Sequence, residues 1–341
     1  MTRWRLFGSD HSPYSVKLRS YMRFKGLPVD WVPRTAETRA EFDSLAKLPL
    51  LPLLVAPDGT VMQDSTPVIL ALERRFPEPA IFPDDEGLRF VSMLIEEAAD
   101  EWGNRLLAAF RWTHDRAESL SRTARMRLPH GTQAEIAAEI ERIETTRLPK
   151  IFEVAGIEPG NAAAFEASLT GLSAALDKAL KDRRFLMGDR PSLADFGLWG
   201  QVVQMRLDPT AGKWLAATPA VSRWLDRMMT PACEGIFAPA AETRKVLHPL
   251  LAWIAEDFLP WSLANMRAAT TGEPDFQARL LGGGFRARSQ RYSAKSLRSL
   301  IGAMPVAIDP DIALLLEETG CIPHLAAARN HFASYSQGNT A

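Results

Sequence analysis

The chain has 341 residues, of which 46% are hydrophobic and 24% charged, and its 40 Lys and Arg balance 41 Asp and Glu to a formal net charge of −1. This length predicts two domains with room for a real core, and the near-neutral charge argues against a nucleic-acid binder that relies on bulk electrostatics. Two cysteines, Cys233 and Cys321, exclude a disulfide framework and a zinc site made of cysteines alone. We expect both to be buried small apolar side chains. We also expect a cytoplasmic protein with neither signal peptide nor membrane span.

The first 80 residues alternate short strands with helices. Strands are predicted at Trp4–Phe7, Pro28–Val32, Leu53–Val55 and Thr60–Met62, and helices at Pro13–Lys25, Glu37–Ala46 and Thr66–Phe76. Ser12 suits the N-cap of the first helix, Pro13 its first position and Gly26 its end. The turn Pro57-Asp58-Gly59 separates the last two strands. A βαβ unit followed by a ββα unit predicts a small mixed sheet flanked by helices.

A linker at Pro77–Glu86 leads into a second part, 87–260, in which every predicted element is a helix. The helices are predicted at Leu88–Thr113, Gln133–Phe152, Ala164–Leu180, Ser192–Leu207, Pro219–Met229 and Ala240–Phe258. Before the fourth of them, Gly188-Asp189-Arg190-Pro191 leads into Ser192 and Asp195, which have the spacing of a capping box. A stretch near 115–160 is interpreted as an insertion into this all-α domain.

Residues 261–341 form a C-terminal extension of unknown role. Between Arg279 and Arg298 it carries five Arg and one Lys without an acid. One interpretation is a solvated surface. The other is that the extension folds over the functional cleft as a lid that contains Tyr292, Phe285 and Gly282–Gly284 and meets an anionic ligand.

Three short motifs could carry chemistry. Ser12-Pro13-Tyr14-Ser15 opens a helix, where unpaired N–H groups stabilise an anion such as a thiolate. Pro52 precedes a strand, where a cis bond can turn the backbone of Leu51 outward to pair with a peptide-like ligand. Asp64 and Ser65 open the third helix and could hold an ammonium and a carboxylate. Taken alone, each motif is better explained by ordinary capping and turn formation.

Together, in this order and with the capping box, these motifs resemble those of the glutathione transferase superfamily. The resemblance covers residues 3–260 and implies an α/β thioredoxin-like N-terminal domain, residues 1–80, followed by an all-α C-terminal domain. It also implies that glutathione is a cosubstrate, that no metal is needed and that the protein is a homodimer.

The resemblance implies a site residue by residue. Ser12 matches the position that contacts the glutathione sulfur, Leu51 with cis-Pro52 would pair with the cysteinyl unit, and Asp64 and Ser65 would hold the γ-glutamyl ammonium and carboxylate. Tyr14 or Ser15 could reach the sulfur instead of Ser12.

Other residues of the region have less defined roles. The group that reaches the glycyl carboxylate is not identifiable, with Arg34 and Lys47 as loop candidates. His11 is interpreted as a loop residue and not as a base. Because Ser stands where redox members carry Cys, we reject disulfide chemistry here.

The leading hypothesis is therefore a glutathione transferase, in which the thiolate attacks a hydrophobic electrophile. One alternative is a glutathione-dependent lyase or etherase that acts on a specific metabolite. The other is a non-catalytic binding protein with the same fold. Neither nucleic acid nor membrane is an expected partner.

Overall fold

A computed structural model describes residues 3–338, and its first part contains the predicted alternation of strands and helices. The elements are β1 (Trp4–Gly8), α1 (Pro13–Phe24), β2 (Val29–Pro33), α2 (Arg39–Leu45), β3 (Leu53–Val55), β4 (Val61–Gln63) and α3 (Ser65–Arg75). Helix α1 has Ser12 as its N-cap and Pro13 at its first position, and Gly26 follows with a φ of 62°. The predicted helix signals are thus confirmed.

The sheet has the order β2-β1-β3-β4. Strand β1 pairs parallel with β2 and antiparallel with β3, and β3 pairs antiparallel with β4 through the turn at Gly59, whose φ is 86°. The Leu51–Pro52 bond is cis, as predicted. This mixed sheet brings the N-terminus of α1, the loop before β3 and the N-terminus of α3 to one side of the domain.

The second part is helical. Its helices are α4 (Glu86–Ala98), α5 (Asn104–Thr113), α6 (Arg116–Arg127), α7 (Gln133–Arg142), α8 (Leu148–Ala155), α9 (Ala162–Leu180), α10 (Leu193–Arg206), α11 (Pro209–Ala216), α12 (Pro219–Arg227), α13 (Ala240–Trp253) and α14 (Leu259–Thr271). Helices α6, α11 and α14 were not predicted. The stretch 115–160 forms α6, α7 and α8 beside a short 3₁₀ turn at Pro159–Asn161.

Three π-helical turns join helices that would otherwise be separate. They lie at Ala99–Gly103 between α4 and α5, at Ile143–Arg147 between α7 and α8, and at Ile254–Phe258 between α13 and α14. A π-turn changes the direction in which the side chains of a helix point and is frequent at functional sites. Because the third turn connects α13 to α14, the helix continues through residue 260, where the extension was expected to begin.

Helix α10 begins with the predicted capping box. Asp195 Oδ2 accepts hydrogen bonds from the Ser192 N–H at 2.9 Å and from its hydroxyl at 2.7 Å. Its other oxygen, Oδ1, accepts from the Leu186 N–H and from the Trp224 indole, each at 3.0 Å. One buried carboxylate therefore connects the loop before α10, the start of α10 and α12.

The extension is more ordered than the sequence indicated. It contains a hairpin, β5 (Asp275–Leu280) and β6 (Gly283–Arg288), and helices α15 (Arg291–Gly302), α16 (Pro310–Glu318) and α17 (Cys321–Gly338). The hairpin was not predicted, although apolar residues alternate with polar ones along both of its strands. Gly282 is needed at the hairpin turn, since a Cβ there would lie 2.3 Å from the Ala163 carbonyl oxygen.

Two expectations about side chains were wrong in part. Cys321 is buried, but Cys233 is exposed on the loop after α12. Phe285 is not part of a lid, because it packs in the core against Trp102 and Phe165, at centroid distances of 5.3 and 5.6 Å. Within residues 3–338, no helix combines the length and the apolar composition that a membrane span requires.

Candidate functional site

A cleft of about 1540 Å³ lies between the sheet domain, the helical domain and the extension. The residues that line it come from the start of α1, the loop before β3, the start of α3, the π-turn after α4, helices α6 to α8 and the start of α15. It collects Ser12, Leu51 and Asp64 in one place. Ser65 lies directly behind, fully buried between the lining residues Asp64 and Thr66.

Ser12 is held in place by the helical domain. The loop before it is fixed by Gln204, whose amide donates to the Asp10 carbonyl at 2.7 Å, and by Arg111, whose guanidinium donates to the His11 carbonyl at 3.3 Å. Ser12 Oγ accepts from the Ser15 N–H at 3.3 Å, so it caps α1. Because Ser12 Oγ is the acceptor in this bond, the proton of the Ser12 hydroxyl remains available for donation into the cleft.

The two alternatives to Ser12 have different surroundings. Tyr14 lines the cleft, but its hydroxyl donates its proton to the Asp100 carbonyl at 2.9 Å. Burial, followed by the nearby charge of Asp100, raises the pKa of Tyr14 well above its ordinary value. Ser15 is fully buried and is not among the lining residues. Of the three hydroxyls, only that of Ser12 both lines the cleft and keeps an uncommitted proton.

The loop that carries Leu51 is organised by one amide side chain that the sequence did not suggest. Gln63 Oε1 accepts from the Lys47 and Leu48 N–H groups at 2.9 and 3.2 Å, and Gln63 Nε2 donates to the Leu48 and Leu50 carbonyls at 2.9 and 3.1 Å. In the described part of the chain, the backbone of Leu51 makes no hydrogen bond of its own. Its N–H and C=O are therefore available to a peptide-like ligand.

The start of α3 has an unusual geometry. Asp64, its N-cap, has a φ of 76°, and its side chain makes no capping bond. Positive φ in a residue other than glycine costs energy and clusters at binding sites. The first-turn N–H groups of α3 thus have no side-chain cap, and the Ser65 hydroxyl has no hydrogen-bond partner among residues 3–338. Such a helix start can accept a carboxylate.

The extension closes one side of this region. Tyr292, in the first turn of α15, donates from its hydroxyl to Asp64 Oδ2 at 2.8 Å. Burial and the contact with Asp64 raise the pKa of Tyr292. Gln290, Ser293, Lys295 and Ser296 line the cleft beside it. Of the basic stretch, Lys295 reaches the cleft, whereas Arg286 and Arg288 lie exposed on the hairpin.

The last turn of α4 and the π-turn that follows it carry four carboxylates that line the cleft. We call Glu96, Glu97, Asp100 and Glu101 the acid group. Lys17, fully buried on α1, donates to Asp100 Oδ2 at 2.6 Å and also to Glu96. Burial alone would lower the pKa of Lys17, but the charges of Asp100 and Glu96 raise it above its ordinary value. The ion pairs of Lys17 with Asp100 and Glu96 thus connect the sheet domain to the helical domain.

Two oxygens of the acid group have no partner in the described residues, Asp100 Oδ1 and Glu97 Oε1. Burial raises the pKa of Asp100 to about 7, although Lys17 opposes this effect. Burial, followed by the charge of Glu101, raises the pKa of Glu97 as well. Side chains of the extension bond to this group, since Ser296 donates to Glu97 at 2.7 Å and Ser293 to Glu101 at 2.6 Å.

His11 is a loop residue, as predicted, but its ring has a specific environment. Its Nδ1 lies 3.0 Å from Thr123 Oγ1, and its Nε2 has no partner among the residues described. Burial, followed by the charges of Arg111 and Arg122, lowers the pKa of His11 to about 3. The ring is neutral near pH 7 and is a poor general base there.

The rest of the cleft is both apolar and cationic. Leu48 and Leu50 from the loop before β3 are part of its apolar lining, and a larger part comes from helices α5 to α8 and the turns between them, namely Leu107, Ala108, Trp112, Met126, Leu128, Ile143, Ile151 and Val154. Leu48, Leu50 and Val154 are 57%, 61% and 53% exposed, which is high for large apolar side chains. Of the two candidates for the glycyl carboxylate, Arg34 lines the cleft and Lys47 does not.

Sequence reasoning missed the acid group, Gln63 and the bond from Tyr292. A signal for the first was present, because Glu96-Glu97 and Asp100-Glu101 recur at a spacing of four on one helix face. No local pattern indicates the other two. No cluster of His, Cys, Asp or Glu within the described range is arranged to hold a metal ion.

Two family models match the chain. "Glutathione S-transferase, N-terminal domain" matches residues 6–80, and "Glutathione S-transferase, C-terminal domain" matches residues 155–227. A search of curated proteins gave no match.

Solved structures resemble the chain over about two thirds of its length. The beta-etherase LigF from Sphingobium sp. strain SYK-6 is 20% identical with a TM-score of 0.50, covering 67% of this chain and 95% of its own. A glutathione S-transferase from Methylobacterium radiotolerans JCM 2831, in complex with glutathione sulfonate, is 22% identical with a TM-score of 0.42, covering 70% and 99%. FzlA from C. crescentus is 19% identical with a TM-score of 0.46, covering 67% and 90%. At such identities the similarity concerns the fold alone. Of these three structures, the beta-etherase LigF, with a TM-score of 0.50, is the one that supports the fold.

Proposed function

The chain belongs to the glutathione S-transferase superfamily, and from that premise we propose that it is a serine-type glutathione transferase. Glutathione would bind beside the sheet domain, and its thiolate would attack a hydrophobic electrophile held against helices α5 to α8. The observation that carries the proposal is the start of α3, where N–H groups without a side-chain cap and a Ser65 hydroxyl without a partner in the described residues lie beside the Asp64 carboxylate, which is oriented by Tyr292. The γ-glutamyl end of glutathione carries an ammonium and a carboxylate, and this arrangement offers a partner to each of them.

The peptide part of glutathione would lie along the loop before β3. There the Leu51 N–H and C=O, directed by the cis bond to Pro52, can pair with the cysteinyl unit as an added strand does. Gln63 holds the loop in the required shape through four hydrogen bonds. The γ-glutamyl ammonium would face Asp64, and the carboxylate would take the first turn of α3.

The sulfur would then lie near the start of α1. The positive end of this helix and a hydrogen bond from the Ser12 hydroxyl would both stabilise a thiolate and lower its pKa. In the reaction a C–S bond forms and the thiol proton leaves to solvent. Either the electrophile is attacked by addition, or a leaving group departs with the electron pair of the bond that breaks.

The enlarged apolar wall supports a bulky electrophile. The exposed Leu48, Leu50 and Val154 leave apolar surface in contact with water, and a ligand that covers this surface gains roughly 25 cal/mol per Å². Product analysis separates addition of the thiolate to the electrophile from displacement of a leaving group, which is the reaction of the lyase or etherase alternative.

The test is calorimetric titration with glutathione of the native chain, Ser65→Ala and Ser12→Ala, with Ser44→Ala as a matched control on the exposed face of α2. We expect the native chain and the control to bind and Ser65→Ala to lose binding. Ser12→Ala should keep binding but lose the ultraviolet absorbance of the bound thiolate. A native chain that does not bind glutathione would refute the proposal, and binding without turnover of any electrophile would favour a binding protein.

Ser65→Ala should barely change the thermal midpoint, because the deleted hydroxyl makes no hydrogen bond in the described structure. Ser12→Ala should cost about 1 kcal/mol, since it removes the cap of α1. These two stabilities separate loss of a ligand contact from loss of the fold.

We also propose that the protein is a homodimer, as the family resemblance implies, and that it is cytoplasmic. Helices α15 and α16 pack against α4, so a second copy would have to pack beside the extension. Light scattering of the full chain measures the mass in solution, and a monomer would remove the dimer from the proposal.

A further inference from the structure

The two ends of the cleft are lined by different ionisable side chains. At the end near Asp64 lies the acid group. The other end, between the loop after β2 and helices α6 to α8, is lined by cationic side chains, namely Arg34, Arg39, Arg127, Arg142, Arg147 and Lys150. The carboxylate that lines that end is Glu139.

Four of these cations share two carboxylates of the protein. Glu139 accepts from Arg127 at 2.8 Å and from Arg142 at 2.7 Å. Asp43 lies 3.5 Å from Arg34 and 3.3 Å from Arg39. A carboxylate shared by two guanidinium groups leaves one positive charge in excess in each case.

Arg147 and Lys150 are different, since neither has an ion-pair partner within residues 3–338. Arg147 ends the π-turn between α7 and α8, and Lys150 follows one helical turn later. Both line the cleft together with Ile151 and Val154 at spacings of three, four and seven residues. This spacing puts two uncompensated cations and two apolar side chains on one helix face, directed at the cleft.

A cleft lined by charge of one sign concentrates the field and attracts ligands of the opposite sign. Here the field lies over the apolar wall proposed for the electrophile. A wholly apolar compound would gain nothing from the two cations, whereas a compound with an apolar body and an anionic group would satisfy both features.

Building on the proposed function, we propose that the electrophile is an amphipathic anion whose apolar body packs on Ile151 and Val154 and whose carboxylate or comparable group is bound by Arg147 and Lys150. The anionic group binds and orients the substrate and takes no part in bond making. The competing explanation is that these cations hold the glycyl carboxylate of glutathione, and the experiment must separate the two.

The test uses a matched pair of probes, a dinitrobenzoate and its methyl ester, titrated into the full chain saturated with glutathione. We expect the native chain to bind the benzoate about tenfold more tightly than the ester, since one hydrogen-bonded charge contact of typical strength is worth about that factor. The double variant Arg147→Gln with Lys150→Gln should bring the ratio close to one. The matched control, Arg223→Gln with Lys181→Gln, changes an exposed Arg and an exposed Lys outside the cleft and should keep the ratio.

A second pair of probes, a chlorinated dinitrobenzoate and its methyl ester, adds a kinetic readout. In each, the thiolate displaces chloride from the ring carbon, so a C–S bond forms and the C–Cl bond breaks with its electron pair. The native chain should prefer the anion in kcat/KM, and the preference should fall with ionic strength.

Each outcome has a separate meaning. Equal binding of benzoate and ester by the native chain, or binding of neither, overturns this inference and leaves the proposed function standing as long as glutathione itself binds. A double variant that weakens glutathione and keeps the benzoate preference shows that the cations hold the glycyl carboxylate, which also overturns it. Failure of glutathione to bind the native chain refutes the proposed function instead.

Discussion

Tyr292 and Asp64 are 228 residues apart in sequence, and the Tyr292 hydroxyl donates a 2.8 Å hydrogen bond to Asp64 Oδ2. Asp64 has positive φ and makes no capping bond, so this contact orients a carboxylate that is otherwise free. The extension therefore contacts and orients the residue that is proposed to hold the γ-glutamyl ammonium of glutathione.

Tyr292→Phe removes the bond and keeps the ring. We expect the Kd for glutathione to rise about three- to tenfold, the usual range for one lost hydrogen bond, because Asp64 is no longer oriented. Calorimetry measures the Kd, with Tyr335→Phe on α17 as the control. Tighter binding by Tyr292→Phe would mean that the hydroxyl competes with the ligand for Asp64.

Gln63→Ala should loosen the loop that carries Leu51, because four hydrogen bonds to three residues depend on this one amide. The expected result is a rise of about tenfold in the KM for glutathione, with a small loss of stability since the loop is exposed. Steady-state kinetics and thermal unfolding measure the two quantities. Gln277→Ala, on the exposed side of β5, is the control, and an unaltered KM for Gln63→Ala would contradict the role given to the loop.

Asp100 should make stability depend on pH. Its pKa is about 4 in the unfolded chain and about 7 in the native chain, where burial raises it. Between these values the unfolded chain has lost a proton that the native chain keeps, so the contribution of Asp100 to stability falls as pH rises from about 4 to 7 and is level above that. The slope for one proton approaches about 1.4 kcal/mol per pH unit.

Asp100→Asn should remove this slope, which denaturant unfolding at a series of pH values measures. Asp226→Asn serves as the control, because the Asp226 side chain is 73% exposed. Parallel stability curves for the native chain and Asp100→Asn between about pH 4 and 7 would be inconsistent with the raised pKa of Asp100.

Asp195→Ala should be strongly destabilising. It leaves the Leu186 N–H, the Ser192 N–H and the Trp224 indole buried without their acceptor. The expected loss is about 3–5 kcal/mol in the free energy of unfolding. Chemical denaturation measures it against Asp226→Ala, and a loss as small as that of the control would show that the capping box is dispensable.

Much of the fold could be predicted from the sequence. The cap of α1, the cis bond before Pro52 and the box at Ser192 and Asp195 depend on residues within three or four positions of each other, so local residue types suffice to predict them. Ser12, Leu51, Pro52, Asp64 and Ser65 were selected in the same way, and their roles toward glutathione stay predictions. The family assignment rests on the same motifs and is confirmed.

Other features were not predicted. The strands β5 and β6 do alternate apolar with polar residues, at Phe276, Ala278 and Leu280 and at Phe285 and Ala287, so a strand signal was present in the sequence. The position of the hairpin depends on the close approach of Gly282 to α9, which no local pattern indicates. Cys233 was expected inside and is exposed, because the loop after α12 runs over the surface.

By itself, the sequence determined two folded parts and the local features at the starts of α1 and α3 that form the proposed site. These features could be predicted because they depend on short-range hydrogen bonds and helical periodicity. Only the tertiary structure decided which distant groups complete that site. Tyr292 hydrogen-bonds to Asp64, Lys17 pairs with the acid group, and Arg147 and Lys150, which have no ion-pair partner within residues 3–338, lie beside an apolar wall. Such pairings depend on how helices pack across hundreds of residues, and no spacing along the chain encodes them.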